Sequence, residues 1–135
     1  MYRLRTLDAK EGTIGGIRSN TQCLHFGSFG VKTLEAGQLS ARVIEAARRI
    51  FTRTFKRKAK LWIRIFPDIS ITAKPLEVRM GKGKGSPIGW TAKVQTGQTL
   101  FEFDGVSLKL VQQATNLLRF KFPLPLKVVQ AASII

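Results

Sequence analysis

The 135-residue chain carries 23 Lys and Arg against 8 Asp and Glu, a formal net charge of +15, and is 44% hydrophobic. Length and apolar content support one domain with a real core and exclude a wholly disordered basic tail. A folded domain with this positive excess repels itself unless a polyanion neutralises it, which points to nucleic acid first and an anionic membrane second.

Residues 1–25 read as an irregular arm, and residues 26–135 as a single α+β domain. The arm holds Arg3 and Arg5 but also Asp8 and Glu11, a mixture that suits neither a signal peptide nor an acid-poor transit peptide. Cys23 is the sole cysteine and His25 the sole histidine, so an intrachain disulfide and a Cys/His zinc site are excluded on count. No apolar run reaches the ~20 residues of a membrane span. Leu24, Phe26, Phe29 and Val31 alternate with small residues around Gly27-Ser28-Phe29-Gly30, which predicts two short strands or one bulged strand.

Ser40 is an N-cap candidate for a helix over 41–57. Val43, Ile44, Ala47, Ile50, Phe51 and Phe55 fall on one apolar face, at the spacing a helix requires. Arg42, Arg48, Arg49, Arg53, Lys56 and Arg57 occupy mostly the remaining surface, with Glu45 as the only acid. A solvated helix face usually mixes charge signs, so this pattern favours a polyanion partner.

Lys60 to Phe66 predicts a strand, with Leu61, Ile63 and Ile65 on one face and Lys60, Trp62, Arg64 and Phe66 on the other. Cations interleaved with aromatics can bind phosphates and stack on bases. The competing reading puts Trp62 and Phe66 in a second small core. Pro67-Asp68 predicts a turn, and Ile69 and Ile71 a short extended piece.

Arg79-Met80-Gly81-Lys82-Gly83-Lys84-Gly85 follows. Gly81, Gly83 and Gly85 allow the backbone to approach a ligand closely, while Arg79, Lys82 and Lys84 supply charge. Lys84 is followed by Gly85 rather than Ser or Thr, so this is no P-loop. The glycine spacing also misses the dinucleotide fingerprint. The plain alternative is a solvated flexible loop. The basic region ends here: residues 42–84 hold 13 Lys and Arg against 3 Asp and Glu.

Trp90, Ala92 and Val94 alternate with polar residues, and Thr96-Gly97-Gln98 turns the chain into Leu100 to Phe103. This predicts a hairpin. Ser107 opens a second helix with Leu110, Val111, Ala114, Leu117 and Leu118 inward; Pro123 and Pro125 end it, and Leu126 to Val129 form a last strand. The order predicts an α+β fold, two helices packed on a mainly antiparallel sheet, with an extended Gly/Lys loop and the irregular N-terminal arm.

Ile44-Glu45-Ala46-Ala47-Arg48-Arg49, Leu61-Trp62-Ile63-Arg64-Ile65-Phe66-Pro67-Asp68, Lys74-Pro75, the Arg79–Gly85 run and Phe101-Glu102-Phe103-Asp104-Gly105-Val106 stand together in one order. In that order and spacing they resemble large-subunit ribosomal protein sixteen of the bacterial and organellar type, over about residues 26–130. The resemblance implies a non-catalytic α+β protein, without metal or cofactor, on large-subunit rRNA near the central protuberance. It implies neighbouring ribosomal proteins as partners, and a glycine loop near the tRNA. Carried onto this chain, Arg79, Lys82 and Lys84 are the implied loop contacts, and Arg48, Arg49, Arg53, Lys56 and Arg57 the implied helix contacts. Residues 1–25 carry only Arg3, Arg5, Lys10 and Arg18 as cations, where the family usually has a dense basic arm. Ile88-Gly89-Trp90 resembles mitochondrial members, which places the expected home in a mitochondrial large subunit, with a bacterial or plastid ribosome as the alternative. The competing classes are a free basic nucleic-acid-binding module and a membrane-surface module. The latter needs an exposed apolar helix face, whereas the 41–57 face reads as core.

Overall fold

The computed structural model describes Arg5, Thr6, Ile14 and residues 22–131. The predicted arm over 1–25 therefore falls largely outside the described residues. The elements are β1 (Arg5–Thr6), β2 (Phe29–Thr33), β3 (Gly37–Ser40), α1 (Ala41–Thr54), β4 (Lys60–Ile63), β5 (Ile69–Ala73), β6 (Ser86–Val94), β7 (Thr99–Asp104), α2 (Leu108–Arg119) and β8 (Leu126–Gln130). The fold is α+β, and the strands form two four-stranded antiparallel sheets, ordered β1-β5-β6-β3 and β4-β7-β2-β8.

The predicted hairpin between 90–94 and 100–103 does not form. β6 pairs with β5 and β3, whereas β7 pairs with β2 and β4. The turn at Thr96-Gly97-Gln98 instead carries the chain from one sheet to the other. Its backbone is tied to β2: the Gly97 N–H donates to Thr33 O at 2.9 Å, and the Thr33 N–H donates to Gln98 O at 3.1 Å. Among residues 22–34 only Phe29–Thr33 is a strand, with a register shift between Val31 and Lys32 against β7.

α1 forms where its periodicity predicts. Ser40 closes β3 and caps the helix, its Oγ accepting from the Val43 N–H at 3.4 Å. Ile44, Ala47 and Phe51 are buried. Phe51 lies 4.6 Å from Phe103 and 5.3 Å from Phe101 between ring centroids, and Phe55 lies 5.3 Å from Phe103. These aromatic pairs join α1 to β7 and form the centre of the core, each adding roughly 0.5–1.5 kcal/mol beyond simple area burial.

The helix stops at Thr54, three residues before its predicted end. Lys56 and Arg57 take φ of 49° and 61°. The Lys56 N–H donates to Arg53 O and the Arg57 N–H to Thr52 O, both at 3.2 Å. This is a Schellman closure, in which the left-handed position usually falls to Gly. No residue type here announces it.

α2 starts directly after Ser107, as predicted, and ends at Arg119, before Pro123, but it turns differently. Val111, Ala114, Thr115 and Leu118 are buried, while Leu110 and Leu117 are exposed at 37% and 55%. The expectation that both leucines point inward is corrected. The buried residues occupy a stripe only about 100° wide. Ser107 stands at the N-cap position without a side-chain cap bond.

Candidate nucleic-acid interface

At about 100° per residue, Arg42, Arg49 and Arg53 share one face of α1, opposite Ile44, Ala47, Phe51 and Phe55. All three arginines are exposed. They are carried outward because the apolar stripe is fully used by the core. Arg48 lies on the flank, and its Nε and Nη2 donate to Glu45 at 2.8 and 2.7 Å. Arg49 Nε donates to the same carboxylate at 3.0 Å. The hydrogen bonds from Arg48 and then Arg49 hold the Glu45 carboxyl down at about 2. Glu45 thus orients two guanidiniums along the helix and neutralises part of their charge.

Lys56, Arg57 and Lys58 follow at the helix end, all exposed. The left-handed backbone at Lys56 and Arg57 costs of order 1–2 kcal/mol per residue.

Lys60 and Arg64 separate in role. Lys60 is exposed, opposite Asp104 in the β4–β7 register, with Nζ 5.3 Å from the Trp62 ring centroid. Arg64 points inward: its side chain is 16% exposed, and Nη1 donates at 2.6 Å to both Glu102 Oε1 and Cys23 O. β4 ends at Ile63, and Phe66 lies beyond it, 79% exposed. Trp62 and Phe66 therefore form no second core.

The Gly/Lys segment joins β5 to β6 as a long loop, with residues 75–84 all exposed. Gly81, Lys82 and Gly83 take φ of 104°, 56° and 85°. Side chains rarely tolerate these values, although a Cβ at Gly81 or Gly83 would meet nothing within 4 Å. Gly85 differs. A Cβ there would fall 2.5 Å from the Ala73 backbone carbonyl, so Gly85 serves the neck of the loop. Lys74 Nζ donates to Gly81 O and bridges the loop internally. Arg79, Lys82 and Lys84 all stand exposed at the tip.

Two residues of this region carry roles that sequence reading did not assign. Glu102 is fully buried on β7. Its Oε2 accepts from the backbone N–H groups of His25, Phe26 and Gly27 at 3.1, 2.7 and 3.0 Å. Burial pushes its carboxyl up, but the Phe26 N–H, Arg64 and the Gly27 and His25 N–H groups outweigh that and hold it below the usual range. Phe26, held this way, stacks on Trp62 at 6.0 Å and 20°. The only prior signal was the pair of aromatics at Phe26 and Trp62.

Among the described residues no group of three His, Cys, Asp or Glu is placed to hold a metal ion. No described helix is long and apolar enough to cross a membrane.

The family model described as ribosomal protein L16p/L10e matches residues 5–129. Large ribosomal subunit protein uL16m of Prototheca wickerhamii is 50% identical over 120 residues, 89% of each chain. Large ribosomal subunit protein uL16m of Marchantia polymorpha is 49% identical over 129 residues, 94% of this chain and 96% of its own. Large ribosomal subunit protein uL16 of Azorhizobium caulinodans is 48% identical over 120 residues, 89% of this chain and 88% of its own. With a match running through both sheets, both helices and the Gly/Lys loop, this chain belongs to the L16p/L10e family of ribosomal proteins.

Proposed function

We propose that the protein is a structural constituent of the large ribosomal subunit that binds large-subunit rRNA near the central protuberance. The observation that carries this is the cationic face of α1: Arg42, Arg49 and Arg53 lie opposite the buried stripe and continue into Lys56, Arg57 and Lys58. Such a face neutralises phosphates along a backbone and releases their counterions. Arg48 joins it from the flank, oriented by Glu45. Lys60 extends the cationic surface onto β4, while Arg64 supports the fold behind it.

The Gly81–Gly85 loop is the proposed contact nearest the tRNA. Arg79, Lys82 and Lys84 supply its charge, and the left-handed turn through Gly81 and Gly83 lets backbone and side chains share one RNA surface. Neighbouring ribosomal proteins complete its surroundings. The proposed setting is the mitochondrial large subunit, supported by the two uL16m relatives and by Ile88-Gly89-Trp90.

The test is binding to large-subunit rRNA fragments across a salt series, followed by sedimentation of the tagged protein with the large subunit. Affinity is expected to fall steeply, with a log–log slope of about −0.7 to −0.9 per phosphate neutralised. Salt-independent affinity refutes the electrostatic reading. Absence from the sedimented mitochondrial large subunit refutes the placement.

A further inference from the structure

We propose that the stacked Phe26–Trp62 pair is a platform for one unpaired base of the RNA, held rigid from below by Glu102. This rests on the rRNA-binding reading above and names which part of the RNA meets β4. The two rings lie 6.0 Å apart at 20°. Phe26 is 59% exposed, although the domain has a core able to take an aromatic ring. Single exposed aromatics need no explanation. This one is built in. The N–H groups of His25, Phe26 and Gly27 converge on the buried Glu102 carboxylate, which also pairs with Arg64.

The flanking charge identifies the ligand. Lys60 Nζ lies 5.3 Å from the Trp62 centroid, and Arg64 Cζ lies 5.8 Å from the Phe26 centroid. Lys58 and Arg57 precede them and are exposed. The exposed acid nearby is Asp104, opposite Lys60 and accepting from Ser28 Oγ at 2.8 Å. Arg64 is paired with Glu102, so the exposed Lys60 beside Trp62 supplies the outward charge, and an aromatic surface with a cation at its side fits a flat heterocycle carried on an anionic backbone. A paired base in an A-form helix keeps its faces covered by its neighbours, so the base must come from a loop, bulge or strand end. Because the Phe26 backbone is already fixed, little ordering entropy opposes the contact.

Trp62 and Trp90 are the two tryptophans, so Trp90→Phe leaves Trp62 as sole reporter. That protein is titrated with a large-subunit rRNA fragment, with a single-stranded oligoadenylate and with a fully paired RNA duplex of equal length. Trp62 fluorescence is expected to change with the first two and not with the duplex. Phe26→Leu should weaken rRNA-fragment binding roughly 10- to 100-fold with an unchanged salt slope, and Phe26→Tyr should restore it. Steep salt-dependent binding with unchanged Trp62 fluorescence, or with Phe26→Leu as tight as wild type, overturns the platform and leaves the rRNA reading standing. Loss of subunit incorporation by Phe26→Leu at unaltered RNA affinity also overturns it, because a neighbouring protein then covers the stack. Salt-independent binding by the wild type removes the rRNA reading and the platform with it. If Phe26→Leu does not fold, the Trp62 titration decides alone.

Discussion

Replacing Glu102 by Gln tests how the edge of the β4-β7-β2-β8 sheet is held. Four donors converge on this carboxylate: the N–H groups of His25, Phe26 and Gly27, and Arg64 Nη1. Gln keeps the shape but offers one acceptor oxygen, and its amide nitrogen would face donors. Arg64, 16% exposed, would keep its charge with no counter-ion. Removing one member of a buried pair costs about 3–5 kcal/mol. With a urea m-value of roughly 1–3 kcal/mol/M, the midpoint should fall by about 1–5 M with unchanged m. The sign of the pH dependence follows from the depressed carboxyl. In the unfolded chain it titrates near 4.5. Its contribution is complete above that value and is lost as pH falls through the lower folded value. The gap between wild type and Glu102→Gln should therefore be wide at pH 7 and narrow below about pH 4.5. Adding Arg64→Met to Glu102→Gln should recover part of the loss, because the stranded cation is gone. A gap under about 1 kcal/mol, or one equally wide at pH 7 and pH 3, refutes the reasoning.

Changing Arg42, Arg49 and Arg53 together to Gln should leave the melting temperature nearly unchanged, because exposed substitutions stay within about 0.5 kcal/mol each; the salt slope for rRNA-fragment binding should become shallower by about 2–3, and an unchanged slope would move the interface off α1. Gly83→Val and Gly85→Ala should separate: the first meets no atom but strains a left-handed backbone, so it should cost about 1–2 kcal/mol while impairing tRNA binding by reconstituted subunits, whereas the second drives a Cβ into the Ala73 backbone and should cost more, about 3 kcal/mol. Equal stability losses, or normal tRNA binding with Gly83→Val, would count against these roles. Phe51→Ala should cost about 3–5 kcal/mol in urea unfolding, given contacts to Phe55, Phe101 and Phe103; a loss below about 1 kcal/mol would displace the core from α1.

α1 was legible because everything that specifies it is local. The apolar spacing from Val43 to Phe55, the Ser40 cap and the lack of acids other than Glu45 are properties of one short segment. Its cationic face was legible for the same reason: the residues left over from an apolar stripe must point outward. The Gly/Lys loop was equally plain as a loop, since alternating glycines support neither helix nor strand. Pairing was not legible. Thr96-Gly97-Gln98 looks the same whether it closes a hairpin or changes sheets, and the choice belongs to β2 and β4, far away along the chain. The fate of charges was also decided in three dimensions. Arg64 and Lys60 sit on one short stretch, yet Arg64 turns inward because a buried carboxylate waits there, and Lys60 stays in water. Glu102 lies in an alternating strand where an acid reads as solvent-facing. Only the folding of residues 22–28 across β7 brings three backbone N–H groups to it, and that convergence makes burying the charge favourable. A sequence states which groups are charged and which segments are amphipathic; desolvation depends on what distant segments bring alongside, and that is settled by the tertiary structure.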